Sequence, residues 1–178
     1  MEIVNIVATV TLNKPIDLEK LSKKFKNSEF ALSGAKWLKW RLPPEQYYIA
    51  FYKSGKFLIT GVKSESEIEN VAARVVGLLH ERDVTAKIDT IKVQNMVILD
   101  FMKTSASLEK ITKGLMDEDI SYEPDQFPGL VYKNDEGVTF LLFNSGKIIM
   151  TGIKKSNAAK KHMENFKKKI NVIIKGVD

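Results

Sequence analysis

The apolar residues of the chain follow two periods, and the switches between them mark its elements. In IVNIVATVTL (3–12), Val4, Ile6, Ala8 and Val10 alternate with Ile3, Asn5, Val7 and Thr9, the period of two expected of a β-strand. Leu18, Leu21 and Phe25 then fall at helical spacing and predict a short amphipathic helix. WLKWRL (37–42), QYYIAFY (46–52) and KFLITGV (56–62) read as β-rich runs, with the SGK triplet at 54–56 as the hairpin turn between the last two. A longer helix closes the pattern. Ser64 with Glu67 three residues on forms a capping box, and Ile68, Val71, Ala72, Val75, Leu78 and Leu79 make its buried stripe.

The same order of patterns then runs a second time. KVQNMVILDF (92–101) matches the first strand and places Asn95 on Asn5 and Val97 on Val7, an offset of 90. Leu108, Ile111 and Leu115 repeat the short helix, and GLVYK (129–133), VTFLLF (138–143) and KIIMTGI (147–153) repeat the β-rich runs. Ser145, Gly146, Lys147, Thr151 and Gly152 fall on Ser54, Gly55, Lys56, Thr60 and Gly61 at an offset of 91. Ser156 opens the closing helix, with Ala159, Met163, Phe166 and Ile170 inward. Two separated blocks at nearly one spacing and in one order imply a tandem duplication, with units at 1–89 and 90–178. Each unit reads as strand, helix, four β-like runs and helix, an α+β architecture.

Helices can cover one side of such a sheet, and the free side of an antiparallel sheet should then be polar. Here Ile3, Asn5, Val7 and Thr9 are apolar apart from an amide and a hydroxyl, Leu58 and Thr60 lie opposite Phe57 and Ile59, and Ile149 and Thr151 repeat them. An uncovered apolar face of this size implies a partner, unless the two units close face to face. In the DNA minor groove A·T pairs present only acceptors, whereas guanine adds an amino donor. Amide and hydroxyl donors among aliphatic side chains would suit the first and strand the second.

Composition narrows the classes. The 178 residues are 44% hydrophobic, enough for one sizeable domain or two small ones. The 28 Lys and Arg against 22 Asp and Glu leave a formal charge of +6, which favours an anionic partner. With no cysteine, disulfides, zinc-thiolate sites and thiol nucleophiles are excluded. His80 and His162 lack metal-ligand spacing, SGK lacks the longer phosphate-loop pattern, and no carboxylate pair or nucleophile with base stands out. Neither enzymatic activity nor a metal or cofactor is expected. The opening MEIVNIVATVTLNKP does not read as a signal peptide, and no run approaches the ~20 apolar residues of a membrane span, so a cytoplasmic location is expected. Lys167, Lys168 and Lys169 should lie on a solvated helix face, and Trp37 and Trp40 should pack into their strand.

The block SYEPDQFPGLVYK (121–133) sets Phe127 between Glu123-Pro124-Asp125-Gln126 and Pro128-Gly129, a turn composition that belongs at the surface. With the VNIV and QNMV strands and both SGK…TG hairpins, it makes nearly the whole chain resemble the TATA-box-binding protein core in its archaeal form, without an N-terminal extension. The resemblance implies a pseudo-symmetric saddle, a curved ten-stranded antiparallel sheet with its concave face on the DNA minor groove and four helices on the convex face. It implies that Asn5, Asn95, Thr60 and Thr151 form the central hydrogen bonds, with Val7, Val97, Leu58, Ile149 and Leu141 packing beside them. Arg41, Lys56, Lys133, Lys147, Ser54 and Ser145 fall where the family meets phosphates. Phe127 and Phe143 match a pair that wedges between bases, a device of which this family is itself the standard example. Glu123 and Asp125 match the surface that meets transcription factor B, through which RNA polymerase is recruited.

The first unit departs from this pattern. Ala35 stands at the equivalent wedge position, Lys36-Trp37 replaces Pro-Gly, and Tyr52 replaces the second phenylalanine. Trp37 would substitute only with a shift of the loop, and the match of Leu38 and Arg41 to Leu130 and Lys133 argues against one. The first-unit end is therefore expected to kink DNA weakly or differently. The alternative reading is a paralogue or interaction module of the same fold with weakened or altered DNA binding. The exposed apolar face would also let the protein form a homodimer without DNA.

Overall fold

The computed structural model describes residues 1–31 and 37–176, in two compact units: Asn5–Gln94, and Asn95 onward together with Met1–Val4. In the first, β1 (Glu2–Leu12), β2 (Glu29–Phe30), β3 (Trp37–Leu42), β4 (Tyr47–Tyr52) and β5 (Lys56–Val62) are ordered β2-β3-β4-β5-β1. In the second, β6 (Ile88–Phe101), β7 (Asp119–Ser121), β8 (Gly129–Lys133), β9 (Thr139–Phe143) and β10 (Lys147–Ile153) are ordered β6-β10-β9-β8-β7. The pairings within each unit are antiparallel. The short helices α1 (Leu18–Lys24) and α3 (Leu108–Gly114) and the long helices α2 (Glu65–His80) and α4 (Ser156–Lys175) complete the α+β fold.

Strand alternation decides which side is core. In β1, Ile6, Ala8, Val10 and Leu12 are buried while Asn5, Val7, Thr9 and Thr11 are half-buried. Phe57, Ile59 and Val62 on β5 join the buried side, against which α2 sets Ile68, Val71, Ala72, Val75 and Leu79. Leu78, expected in that stripe, is only half-buried. In the second unit Ile148 and Met150 meet Ala159, Met163, Phe166 and Ile170 of α4. Phe140 and Phe166 stack at 4.3 Å, whereas the first unit uses an edge contact of Phe25 on Trp40 at 4.6 Å. Each such fully buried ring contributes about 1.5–3 kcal/mol relative to exposure.

Ends and turns carry the rest of the instructions. Asp17 and Ser107 cap α1 and α3 by accepting from backbone amides of the first turn. Lys155, without a side-chain cap bond, occupies the N-cap of α4, so Ser156 is its first helical residue. Glu67 forms a knot: Ser64 Oγ accepts its amide, its own carboxylate accepts from Lys63 N at 2.9 Å, and it also accepts from the Tyr47 hydroxyl. The expected solvated lysines of α4 are partly tied down. Lys167 donates to Asp100 at 2.6 Å and Lys169 to Glu118, whereas Lys168 is exposed.

The SGK turns hold the strand exits. Gly55 and Gly146 donate to Tyr52 and Phe143 across each turn, and their carbonyls accept from Leu12 and Met102 at 2.8 and 2.9 Å. Gly146 has φ +78, and a Cβ there would lie 2.0 Å from the Met102 carbonyl oxygen. Gly146→Ala should therefore cost more than the ~1–2 kcal/mol of a left-handed non-glycine residue, read as a drop in the urea midpoint. A second prediction concerns Tyr47 and Glu67. The shared hydrogen bond pushes Tyr47 up to about 12 and holds Glu67 below its ordinary value. It adds stability that is present above the usual glutamate range and lost as pH falls through the lowered Glu67 value. That stability is also present below about pH 10 and lost as pH rises toward the raised Tyr47 value. Tyr47→Phe should flatten both limbs of the stability profile; limbs identical to wild type would rule the linkage out.

Candidate nucleic-acid interface

The outward side of each unit consists of cross-strand rows. In the first unit these are Trp37–Tyr52, Lys39–Ala50–Leu58–Thr9, and Arg41–Tyr48–Thr60–Val7. In the second they are Gly129–Phe143, Val131–Leu141–Ile149–Leu99, and Lys133–Thr139–Thr151, with Phe101 beside Lys147. The middle row of the second unit is wholly aliphatic. Its counterpart carries a lysine, an alanine and a threonine, so the duplicated faces are not chemically equal.

Asn5 and Asn95 sit at the same place on the two faces and are oriented by backbone. Asn5 Oδ1 accepts from Gly61 N at 2.8 Å and from Thr60 Oγ1 at 3.1 Å. Asn95 Oδ1 accepts from Gly152 N at 2.8 Å and Thr151 Oγ1 at 3.2 Å, with Asn95 Nδ2 also 2.9 Å from that hydroxyl. A backbone N–H on the oxygen fixes which way each amide is flipped, so each unit sets an oriented NH2 among aliphatic side chains, with one of its two N–H groups on Thr151 in the case of Asn95. The strand geometry that allows this is irregular: pairing shifts register between Ile6 and Val7 on β1 and between Met150 and Ile153 on β10, and Gly61 and Gly152 have φ +109 and +91.

The edges of the faces are cationic and aromatic. Lys56 and Lys133 are exposed, as are Ser54 and Ser145 at the turns. Lys147 lies 5.9 Å from the Phe143 ring. Arg41 is held by its own chain, donating to the Gln46 carbonyl at 3.2 Å and stacking 5.1 Å over Tyr48. Lys39, facing the same side, pairs with Glu29 at 2.8 Å. Phe127 is 38% exposed and meets Phe143 edge-on at 5.7 Å. Its loop is closed by the Glu123 carbonyl, which accepts from both Gln126 N and Phe127 N at 2.9 Å, and the side chains of Glu123 and Asp125 are exposed. Among the described residues no group of three or more His, Asp or Glu could hold a metal ion.

Lys39, Tyr48, Ala50, Leu99 and Phe101 are members of these faces beyond the residues expected from the sequence. Alternation from Asn95 points at Leu99 and Phe101, the latter 59% exposed, but Lys39, Tyr48 and Ala50 need the cross-strand register. Trp40 packs into the core as expected, at 8% exposure, whereas Trp37 lies half-buried on the outward face with its ring 6.1 Å from Tyr52. Ala35 and Lys36 lie outside the described residues.

Comparison with known proteins gives the arrangement a family. The model of "Transcription factor TFIID (or TATA-binding protein, TBP)" matches residues 1–82 and 90–173. The chain belongs to the TATA-binding protein family. That family is one of transcription factors, not of enzymes. The TATA-box-binding protein of Archaeoglobus fulgidus is 34% identical over 176 residues, covering 97% of this chain and 96% of that one. The Methanocaldococcus jannaschii protein of the same name is 35% identical over 168 residues, covering 93% and 91%. The solved structure of Methanococcus jannaschii TBP superposes with a TM-score of 0.84 at 33% identity, covering 96% of this chain and 97% of that one. At that similarity the fold class read from the sequence is shown.

The two tryptophans give this geometry a direct check. In Trp37→Phe the remaining indole is the buried Trp40, so emission should shift to the blue and resist acrylamide; wild type should be readily quenched. Equal quenching of the two proteins would place Trp37 inside the core.

Proposed function

We propose that this TATA-binding protein family member is a general transcription initiation factor that binds A·T-rich promoter DNA through the minor groove and bends it. The observation that carries the reading is the pair of asparagines. Each presents amide N–H groups from the middle of an apolar sheet face, which satisfies the acceptors of A·T pairs and leaves a guanine amino group unmatched. Val7, Val97, Leu58, Leu141 and Ile149 supply the surrounding aliphatic contact. Thr60 and Thr151 hold the amides in place. The formal charge of +6, with Lys56, Lys133, Lys147, Arg41 and the turn serines at the edges, supports phosphate contact that gives affinity without sequence choice.

Bending follows from the same reading. Apolar contact with a broad face needs a widened groove, and rings such as Phe127 and Phe143 hold the kink between base steps, a device for which the TATA-binding protein is itself the standard example. The exposed acidic loop bearing Glu123 and Asp125 supports docking of transcription factor B and, through it, RNA polymerase. Without DNA the same apolar faces support self-association. Among the described residues no helix is long and apolar enough to cross a membrane, and the proposed site of action is the nucleoid in the cytoplasm. The repeat boundaries proposed for these two DNA-contacting halves are 1–89 and 90–178. A second reading, a paralogue with altered DNA binding, is favoured by one observation: Lys39 and Ala50 stand where the other unit has Val131 and Leu141.

Gel-shift titration with a TATA duplex and a G·C-substituted one, with and without transcription factor B, tests the proposal. The TATA duplex should bind more tightly, more so with the factor, and less well as salt rises. Asn95→Ala should weaken TATA binding about two- to tenfold, the value of one lost hydrogen bond, with less effect on the G·C duplex. Equal weak binding of both duplexes, unaffected by the factor, would sink the initiation reading.

A further inference from the structure

The register places Trp37 where the second unit has Gly129. Each is the first residue of its strand, and each stands opposite the last residue of the next strand, Tyr52 in one unit and Phe143 in the other. At Gly129 the missing side chain is what admits the loop ring: a Cβ there would lie 2.7 Å from Phe127 Cε1 and 3.1 Å from Phe143 Cε1. The second unit thus builds its aromatic pair from a loop ring seated over a bare Cα and a strand ring beside it. The first unit carries both rings on strands. Trp37 and Tyr52 are half-buried on the outward face, 6.1 Å apart and inclined at 40°, against 5.7 Å and 68° for the other pair. A ring in Phe127's place over the first unit would collide with the indole, so the two constructions exclude each other.

We propose that the Trp37–Tyr52 pair is the first unit's aromatic contact with DNA, stacking on a base step at its end of the site from the strand instead of from a loop. The inference rests on the DNA-binding reading above. Indole offers a broad π-face, and stacking on it tolerates any base because every base has a π-face of its own. Trp37 starts from a hydrogen-bonded strand, so it reaches less far from the sheet than a ring raised on a loop. The Tyr52 hydroxyl needs water or a polar partner, which favours contact at the border of the stack over full insertion. The first-unit end is accordingly a shallow stacking contact, with Trp37 its principal residue.

The test uses the full chain and A·T-rich duplexes carrying 2-aminopurine at single steps, whose emission rises when the base is unstacked. Wild type should raise the signal at a step near each end of the site. Trp37→Leu should lose the signal at one end, keep the other, and bind about tenfold more weakly. Trp37→Phe, which keeps a ring, should retain both signals. Intrinsic emission gives a second readout: the duplex should quench wild type and leave Trp37→Phe, with only the buried Trp40, unchanged. A wild type that binds while Trp37→Leu matches it in affinity and in both signals overturns this inference and leaves the proposed function standing. Failure of wild type to bind the A·T-rich duplex at all overturns the function, and the inference with it.

Discussion

The hydrogen bond from a glycine amide to an asparagine side-chain oxygen, made once in each unit, is the constraint around which the outward faces are organised. Gly61 N to Asn5 and Gly152 N to Asn95, both at 2.8 Å, stand where strand pairing slips register. A backbone donor that the ladder does not use is satisfied by a side chain, and that side chain loses its freedom to flip. One bond therefore closes an irregular stretch of sheet and fixes the polarity of the amide offered outward. The aliphatic residues around it make that polarity matter, because beside Val7 and Leu58, or Val97 and Ile149, the threonine hydroxyl next to each asparagine is the polar side chain within its reach, and on Asn95 it takes one of the two amide N–H groups.

The covered and uncovered sides of the sheets are built to different rules. On the covered side, Phe51, Phe57 and Phe140 are fully buried and the helices interlock with them, so identity there is decided by volume. On the outward side most residues are half-buried or exposed, Ala50 at 2% exposure being an exception, so volume constrains identity less there. Divergence between the two units accumulates accordingly. The buried stripes of α2 and α4 remain wholly apolar, while Val131 and Leu141 of the second unit correspond in repeat position to Lys39 and Ala50 of the first.

Much of this was legible along the chain because the relevant signals are local. Period-two alternation located β1 and β6, helical spacing located the stripes of α2 and α4, and the repeated SGK fixed both turns. The duplication supplied the pairing of Asn5 with Asn95 without any structure. What alternation cannot supply is the register between strands, and the members missed were those that only register brings together. Tyr48 joins Thr60, and Lys39 joins Ala50, across strands that one-dimensional patterning treats separately. The lysines of α4 depart from a solvated face for a similar reason: Lys167 meets Asp100, 67 residues away in sequence, and no helical wheel contains that acid. Trp37 and Trp40, three residues apart on one strand, point to opposite sides, so an expectation of strand packing shared by the two leaves Trp40 in the core and Trp37 half-buried on the outward face.

The inequality of the two faces bears on direction. A duplicated protein with identical halves would hold a duplex equally well in either of two orientations, because turning the duplex end for end would exchange equivalent contacts. Here the second unit offers an unbroken aliphatic row and a loop-borne ring over Gly129, and the first offers a lysine within its row and an indole on the strand. Under the proposed function, exchanging the ends of an asymmetric duplex would exchange unlike environments, and the free energies of the two orientations would differ. At 1.4 kcal/mol per factor of ten, a single stacked ring gained or lost is enough to leave one orientation dominant. Under the proposed function, that preference would be set by residues that read no base directly, and the loop bearing Glu123 and Asp125 would then face a defined side of the promoter.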